Sequence, residues 1–306
     1  MILFFVTLII YSIMRCIPTS YVEKIARERA SLPGGKSYSE WLTQLNAAYG
    51  FDKGIVEGYF SNWLVSTLKG DFGDSWFFNV PVVQKFNAVI WNSFILGVLS
   101  FVLEIVIAVP LGILAAVRRD RFTDYFLRFC SFIGNALPNF FVALLLMQVF
   151  SIRWRLLPVL SEGTSLRSAV LPTLTLAIAM SAKYMRQVRA AVLEELNRDY
   201  VTGARARGVR EGVILRGSVL RCAMLTILTL LALSVGSLLG GTAIIESIFQ
   251  WDGVGKLAVD AITMRDYPLI QAYVVWMAII YVMVNLVTDI LYHVLDPRIR
   301  LGVQAG

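Results

Sequence analysis

The stretch RDYVTGARARGVREGVILRGSVLR, residues 198–221, decides how the rest of the chain is interpreted. It contains six arginines and two acids, yet apolar segments of membrane-spanning character lie on both sides of it. A charge at the centre of a spanning helix costs about 2.5–3.5 kcal/mol on insertion scales, so this stretch cannot cross hydrocarbon. Its arginines predict a position in water on the cytoplasmic side of a membrane. A charged elbow between two membrane helices is suited to receive a push from a cytoplasmic partner.

The composition is that of a membrane protein. Of the 306 residues, 57% are hydrophobic and 16% are charged, whereas soluble domains have about 25% charged residues. The net charge is +7, and the basic residues that cause it lie beside apolar segments. Membrane topology therefore accounts for this charge, and no nucleic-acid partner is expected. Cys16, Cys130 and Cys222 are far apart, so they are expected to be small buried hydrophobic residues without a disulfide or metal framework.

Apolar segments predict an all-α polytopic membrane protein with six transmembrane helices. The first is short for a full span, which leaves open a start further upstream. The other five are expected near residues 91–117, 129–152, 169–184, 224–249 and 269–291. The predicted organisation is a first helix at 1–20, a small extracytoplasmic region at 21–88, a five-helix core at 89–293 with a cytoplasmic loop at 191–222, and a cytoplasmic tail at 294–306.

The distribution of lysine and arginine orients these spans. The predicted cytoplasmic segments contain fifteen of these residues: four in 118–128, nine in 183–221 and two in 298–300. The short outer loops contain five: three in 153–167 and two in 256–265. Because lysine and arginine concentrate on the cytoplasmic side of membrane proteins, both termini are predicted to be cytoplasmic.

Small residues inside the spans predict close contacts between helices. Ala108, Gly112 and Ala116 recur at four-residue spacing and form a smooth stripe on the second span. Gly236 and Gly240 form a G-x-x-x-G face on the fifth span.

Three other residues inside the spans are unusual there. Pro110 is expected to kink the second span, and Pro138 lies inside the third. Glu104 is an acid within the second span, and two interpretations stay open for it: a functional group, or a hydrogen bond between helices in a neutral or paired form.

No motif predicts catalysis. Residues 30–37 resemble a phosphate-binding G-x-x-x-x-G-K-[ST] loop but lack its first glycine and follow no buried strand, so chance explains the match. His293 is the only histidine, which excludes a multi-histidine metal site and a Ser-His-Asp triad with a spare base. Residues 252–255 are rich in glycine but follow a membrane span, so a tight turn at the membrane surface is expected.

Three blocks of sequence, at residues 199–223, 240–271 and 295–300, resemble permeases of ABC importers in the dipeptide, oligopeptide and nickel branch, and nickel-import permeases look closest. The chain departs from the family at Cys222 and Thr226, which bears on the kink leading into the fifth span. The first block resembles the family's "EAA" loop and implies ATPase-coupling roles for Asp199, Tyr200, Ala204, Arg205, Ala206, Arg207 and Gly208. The second implies outer-loop or gate roles for Glu246, Phe249, Gly253, Gly255, Asp266, Tyr267 and Pro268.

The resemblance implies the fold of a type I ABC-importer permease, in which a short helix of residues 198–221 docks in a cleft of an ATPase subunit. We name these residues the coupling segment. Its arginines can meet acids on a partner, although topology and lipid phosphates are the alternative explanation. Gly208 is expected to end the first short helix, because glycine tolerates the left-handed conformation needed there.

The same resemblance implies the partners. They are a second, homologous permease in a heterodimer, two cytoplasmic ATPase subunits, the lipid bilayer, and an extracytoplasmic solute-binding protein that touches residues 21–87, 153–168 and 250–268. The chain itself is expected to be no enzyme and to bind no cofactor or metal, since ATP and magnesium belong to the ATPase subunits. The expected location is the inner membrane of a bacterial cell.

The substrate stays open between nickel, most simply as a chelate, and di- or oligopeptides. The sequence offers no cluster of Cys, His and Met suited to direct nickel coordination in a pore. An ion-coupled secondary transporter is the alternative function, with Glu104 or Asp289 as its ion site. A membrane-embedded enzyme would need a catalytic cluster that is not visible, and a passive channel would not need the charged elbow.

Overall fold

The computed structural model describes residues 2–16, 21–31, 36–48, 54–161, 163 and 165–295. The regular elements in these ranges are helices, and one isolated antiparallel bridge joins Asp74 and Pro81. Three π-helical turns occur at Tyr59–Trp63, Met147–Arg153 and Leu215–Val219. The α-helices are α1 (Ile2–Cys16), α2 (Tyr21–Ala30), α3 (Tyr38–Ala48), α4 (Ile55–Gly58), α5 (Leu64–Leu68), α6 (Val82–Val117), α7 (Phe122–Ala136), α8 (Asn139–Leu146), α9 (Leu166–Leu196), α10 (Asp199–Ala206), α11 (Glu211–Ile214), α12 (Leu220–Phe249), α13 (Val254–Met264) and α14 (Tyr267–Leu295).

The chain divides into two compact units. The first comprises residues 1–90 and 257–280, and the second comprises residues 91–256 and 281–306. In the first unit, α2 packs against α3 through a small core of Val22, Ala26 and Leu45. Aromatic side chains pack elsewhere in this unit, where the rings of Tyr59 and Trp63 stack at 5.5 Å.

Helix α9 lies at the centre of the second unit. It packs against α7, α8 and α12, and 15 of its 31 residues are buried. One apolar cluster joins α9 to α8 and the C-terminal part of α12, around Leu171, Leu176 and Phe249. A second joins the C-terminal half of α9 to the start of α12, around Val188 and Ile227. A helix enclosed in this way needs less apolar surface of its own than one that faces lipid.

Three helices are long and apolar enough to cross a bilayer among the described residues. They are α6, the helical stretch 211–236 and residues 267–288 of α14. A fourth crossing results if α7 and α8 with its following π turn, which are bent by 103°, form one broken span. Helix α1 contributes a shorter apolar stretch, Phe4–Ile13. The count of six spans therefore stays a prediction.

The third predicted span is broken where the sequence suggested a continuous helix containing Pro138. Helix α7 ends at Ala136, and Leu137 adopts an extended backbone with φ −80° and ψ 131°. The proline ring disfavours the helical conformation for the residue before it and removes a backbone donor. Pro110 behaves differently, because α6 continues through it.

The segment after the fifth span was predicted to be a loop, but its residues 254–264 form helix α13 in the structure. The apolar residues of VGKLAVDAITM recur at helical spacing, and Val254, Leu257, Ala258 and Ala261 are buried. The glycines of 252–255 suggested a turn, and the turn is confined to the residues just before α13.

The small-residue stripe of the second span lies where helices approach closely. Ala108 and Ala116 are buried, and a Cβ added at Gly112 would lie 2.8 Å from both the Met185 carbonyl oxygen and Val188. A Cβ added at Gly236 would meet only Tyr281, at 3.8 Å. The close approach predicted for the G-x-x-x-G face is therefore not found at Gly236, and the surroundings of Gly240 lie outside the described side chains.

The prediction that the three cysteines are buried is wrong, because Cys16, Cys130 and Cys222 are all exposed. Lipid tails are as apolar as the protein interior, so a small apolar side chain can face outward on a membrane helix without a cost. The rule that hydrophobic side chains are buried applies to water-soluble chains.

Candidate functional site

The coupling segment begins directly after the long helix α9. Arg198 has an extended backbone, with φ −72° and ψ 150°, and helix α10 starts at the next residue. Asp199 places a negative charge in the first turn of α10, which is favourable to the helix dipole. Two turns of helix, a break and a second short helix, α11, follow before α12.

Gly208 ends α10 with a complete Schellman motif. Its φ is +75°, and its N–H donates to the carbonyl oxygen of Arg205 at 2.9 Å. The N–H of Val209 donates to the carbonyl oxygen of Ala204 at 3.2 Å. These two bonds are the 5→2 and 6→1 pair that defines this helix end, and they require a residue in the left-handed conformation. The prediction that Gly208 ends the first short helix is confirmed.

One apolar face attaches the coupling segment to the second unit. Val201, Ile214 and Val219 are at most 2% exposed, and they belong to the cluster that also contains Val188 of α9 and Ile227 of α12. A displacement of α10 or α11 therefore acts on the ends of both long helices. The opposite face is exposed and includes Tyr200, Val209 and Val213.

The charged residues of the segment fall into paired and unpaired groups. Arg205 donates to both carboxyl oxygens of Glu211, at 2.7 and 3.2 Å, and this bond raises the pKa of the Arg205 guanidinium. Arg198 pairs with Glu194 at 3.2 Å. By contrast, Arg207 and Arg210 are exposed and have no ion pair with any residue that the structure describes.

Tyr200 is fixed at the junction with α9. Its hydroxyl donates to Glu195 Oε2 at 2.9 Å. Partial burial and this hydrogen bond together raise the pKa of the Tyr200 phenol. Of the two alanines also expected in the coupling role, Ala204 packs against the buried cluster that contains Val201, and Ala206 is exposed on α10.

Glu246 is the centre of a buried turn in the second unit, residues 246–256, which we name the Glu246 turn. Its side chain has no exposed surface. Oε1 accepts a hydrogen bond from the Ser93 hydroxyl at 2.7 Å, and Oε2 accepts one from the Lys256 N–H at 3.0 Å. The Ser93 oxygen in turn accepts the Val254 N–H at 2.8 Å. Glu246 thereby satisfies donors at the start of α13 and connects them to α6.

Two glycines make the Glu246 turn possible. A Cβ added at Gly253 would collide with the Glu246 carboxyl group and the Ser93 hydroxyl. A Cβ added at Gly255 would lie 2.5 Å from the Cα of Ala243, so α13 begins in direct backbone contact with α12. Phe249, the last residue of α12, is buried in the same apolar cluster as Trp251.

Asp266 is the centre of a second buried turn, which lies in the first unit and which we name the Asp266 turn. Its carboxyl group has no exposed surface and accepts hydrogen bonds from the Ser75 hydroxyl and from the N–H groups of Trp76 and Phe77, at 3.3 and 3.1 Å. It also accepts the Leu269 N–H at 3.4 Å, as an N-cap of α14.

Tyr267 and Pro268 form the first turn of α14. The Tyr267 ring packs edge-to-face on Trp76, with ring centroids 5.4 Å apart. Proline is compatible with this position because the first N–H groups of a helix have no partner within it. The predicted outer-loop residues therefore form two groups. The group of the Glu246 turn lies in the second unit and comprises Glu246, Phe249, Gly253 and Gly255. The group of the Asp266 turn lies in the first unit and comprises Asp266, Tyr267 and Pro268.

Glu104 is buried on α6, and its Oε2 lies 3.3 Å from the Ser234 hydroxyl of α12. This contact fits the interpretation of a bond between helices. The side chain of Asp289 lies outside the described side chains. No group of three or more His, Cys, Asp or Glu residues that could hold a metal ion occurs in the described part of the chain.

Sequence reasoning missed the residues that complete these sites. Ser93 and Trp76 were not singled out, and Asp124 with Arg189 was seen only as part of the charged flanks of two spans. A serine or an arginine near a span carries no local pattern that distinguishes a buried partner from a surface residue.

Comparisons with known proteins give the same family along most of the chain. The family described as "Binding-protein-dependent transport system inner membrane component" matches residues 108–301. The metal-staphylopine import system permease protein CntB of Staphylococcus aureus is 34% identical over 265 residues, which cover 87% of this chain and 84% of that protein. The oligopeptide transport system permease protein AppB of Bacillus subtilis is 38% identical and covers 78% of each chain.

Other relatives extend the match. The glutathione transport system permease protein GsiC of Escherichia coli K12 is 32% identical over 298 residues, which cover 97% of this chain and 94% of that protein. Among solved structures, an inward-facing MetNI methionine ABC transporter gives a TM-score of 0.58 at 16% identity, over 70% of this chain and 97% of that chain. The structural likeness supports the fold alone.

Proposed function

The chain belongs to the family of binding-protein-dependent transport system inner membrane components, and on that premise we propose that residues 199–208 receive the ATP-driven input of the importer. The chain is a permease subunit of an ABC importer and not an enzyme, because its relatives are transmembrane permeases and the ATPase lies on separate subunits. An ion-coupled secondary transporter is therefore set aside.

The observation that carries the proposal is the build of the coupling segment. Arg207 and Arg210 lie on either side of the Gly208 turn, exposed and without an ion pair to any described residue. Exposed apolar side chains lie beside them, at Val209 and Val213. A surface of this kind fits a cleft with an apolar floor and acidic rim on an ATPase subunit.

The proposed partners and mechanism follow from the family. A second, homologous permease completes the pathway, and two cytoplasmic ATPase subunits close when they bind ATP and magnesium. Their closure pulls on the coupling segment and changes access between the two faces of the membrane. A solute-binding protein delivers the solute at residues 21–87, 153–168 and 250–268.

The proposed topology is that of six spans in a bacterial inner membrane, with both termini in the cytoplasm. In it, residues 21–88 form an extracytoplasmic region, 89–293 a five-helix core and 294–306 a cytoplasmic tail. The excess of lysine and arginine in the proposed inner segments supports this orientation. The C-terminal residues 296–306, with most of the 295–300 block, lie outside the described residues.

The proposed solutes are peptides or peptide-like chelates of a metal such as nickel. The names of the relatives support this class, since they refer to oligopeptides, glutathione and metal-staphylopine. The chain would then handle the metal as part of a complex.

Substitution of Gly208 by tryptophan tests the coupling role. The left-handed conformation at this position disfavours any bulky side chain, so we expect assembly in the membrane but ATP hydrolysis that no longer drives uptake. Gly208→Asn is the matched control, because asparagine tolerates the left-handed conformation. Both variants are assembled with the ATPase subunits, and hydrolysis and uptake are measured in proteoliposomes. Normal uptake by Gly208→Trp would contradict the proposal.

A further inference from the structure

The most completely buried ion pair of the second unit is formed by Asp124 of α7 and Arg189 of α9, among the residues described. Arg189 Nε donates to Asp124 Oδ1 and Arg189 Nη2 donates to Oδ2, both at 2.7 Å. The Asp124 side chain is fully buried, and that of Arg189 is 17% exposed. The N–H of Asp120 adds a third hydrogen bond to Asp124 Oδ2, at 3.1 Å, and Arg128 lies 3.8 Å away.

This geometry fixes the orientation of the two helices and does more than neutralise charge. A guanidinium group that donates two parallel hydrogen bonds to one carboxylate holds both the distance and the angle between its partners. Removal of one member would leave the other charge buried without a counterion, which is strongly unfavourable. A lysine could keep the charge but would make only a point contact.

Other contacts along α7 strengthen the same connection. The hydroxyl of Ser131 donates to the carbonyl oxygen of Ala182 on α9. A Cβ added at Gly134 would lie 2.8 Å from the Ala182 side chain, so the two helix backbones are in close contact there. These contacts and the ion pair connect α7 from its first turn almost to its end. Three residues after Gly134, the extended Leu137 breaks the helix.

We propose that Asp124 and Arg189 are positioning residues that make α7 and the C-terminal half of α9 one rigid lever. Residue 189 lies two turns before the end of α9, and α10 of the coupling segment begins three residues after that end. A pull on the coupling segment reaches the lever through α9. The bend at Leu137–Pro138 is then the hinge at which the lever moves relative to α8. This proposal rests on the coupling role of residues 199–208.

Spin-label distances test the lever in the assembled transporter with its ATPase subunits in nanodiscs. Cys16, Cys130 and Cys222 are replaced by serine, and labels are placed in pairs at exposed positions: 126 with 190 across the lever, and 126 with 144 across the hinge. We expect the 126–190 distance to be the same in the nucleotide-free and vanadate-trapped states. We expect the 126–144 distance to change.

The conservative variant Arg189→Lys gives the second arm of this experiment. If the bidentate bond holds the lever, the 126–190 distance distribution becomes broader and differs between the two nucleotide states. A 126–190 distance that changes on vanadate trapping while Asp124 and Arg189 are both intact overturns the proposal. A 126–190 distribution that stays narrow and unchanged in Arg189→Lys also overturns it. These distances do not depend on which residues receive the ATP-driven input. The experiment therefore distinguishes a failure of the lever proposal from a failure of the coupling role proposed for residues 199–208.

A double-mutant cycle separates positioning from simple stabilisation. Asp124→Asn and Arg189→Gln each leave one unpaired partner, whereas the double variant pairs two neutral amides. We expect each single variant to raise the ratio of ATP hydrolysed to solute imported about tenfold. We expect the double variant to bring this ratio most of the way back to that of the unmodified transporter. A role in stability alone predicts less assembled transporter with an unchanged ratio, and that result would overturn the proposal.

Discussion

The coupling segment and the two acid-centred turns use charged side chains in opposite ways. In residues 198–221 the charges lie on the surface, and apolar side chains such as Val201 make the buried contact between the segment and the bundle. In the Glu246 and Asp266 turns the carboxyl groups are fully buried and accept the hydrogen bonds that hold the backbone. Family motifs of equal prominence in the sequence therefore have different physical roles.

The difference indicates which substitutions should affect folding and which should affect partners. A buried acceptor contributes through the donors that it satisfies, so its loss destabilises the chain itself. An exposed cation contributes little to folding, so its loss changes binding. The comparison is tested by substitutions in both regions.

Asp266→Ala should have the largest effect on stability. It removes an N-cap and leaves the N–H groups of Trp76 and Phe77 without an acceptor. Each lost partner costs about 1–3 kcal/mol and the cap about 1 kcal/mol, so we expect a loss of about 4–5 kcal/mol. Thermal unfolding of the purified chain in detergent measures it. Asp266→Asn keeps one acceptor oxygen and should give an intermediate value; a loss equal to that of Asp266→Ala would show that the retained oxygen contributes nothing.

Glu246→Ala should be next, with a loss of about 3–4 kcal/mol. The Ser93 hydroxyl and the Lys256 N–H lose their acceptor, at about 1–3 kcal/mol for each buried donor. The matched control is Glu194→Ala, since the Glu194 side chain is 71% exposed and pairs only on the surface. The same unfolding assay applies, and similar losses in the two variants would show that burial does not decide the effect.

The double variant Arg207→Ala with Arg210→Ala should weaken capture of the ATPase subunits about tenfold while leaving the unfolding temperature unchanged. The effect should be larger at low salt, because exposed charges are screened. Arg121→Ala is the control, since Arg121 is an exposed arginine of another predicted cytoplasmic segment. Unchanged capture by the double variant would favour the interpretation that these arginines serve topology and lipid binding alone, and an equal loss in the control would show that the effect is not specific to the coupling segment.

Arg205→Ala should have the smallest effect on stability. Its ion pair with Glu211 is exposed, with side chains 46% and 66% accessible, and such pairs contribute less than about 1 kcal/mol. Thermal unfolding should therefore hardly change. A loss as large as that of Glu246→Ala would mean that the pair holds α10 against α11 and is more than a surface contact.

Local features of the fold could be predicted, because their causes lie in neighbouring residues. Gly208 ends α10 through bonds to Ala204 and Arg205 only, and the stripe at Ala108, Gly112 and Ala116 needs nothing beyond helical spacing. The break at Leu137 also has a local cause, the following proline, but local sequence allows both a kinked helix and a broken one. The surrounding helices decide between these outcomes.

The surroundings of the acidic site residues could not be predicted, because their partners are distant in the chain. Ser93 and Glu246 are 153 residues apart, and Ser75 and Asp266 are 191 residues apart. The family resemblance indicated that Glu246 and Asp266 are important but implied a place at a gate. The structure gives each of them a set of backbone donors, which no periodicity or composition could reveal.

The enclosed position of α9 has a consequence for biosynthesis. Its first part contains Arg167 and several hydroxyl residues, and α9 is not among the helices apolar enough to cross a bilayer unaided. A nascent chain that ends after α9 would expose this polar surface to lipid. Helix α12, which covers much of α9, is synthesised only about twenty residues later. We therefore expect stable insertion of α9 to wait for α12, so that the coupling segment between them is held at the membrane surface from the moment both helices are in place.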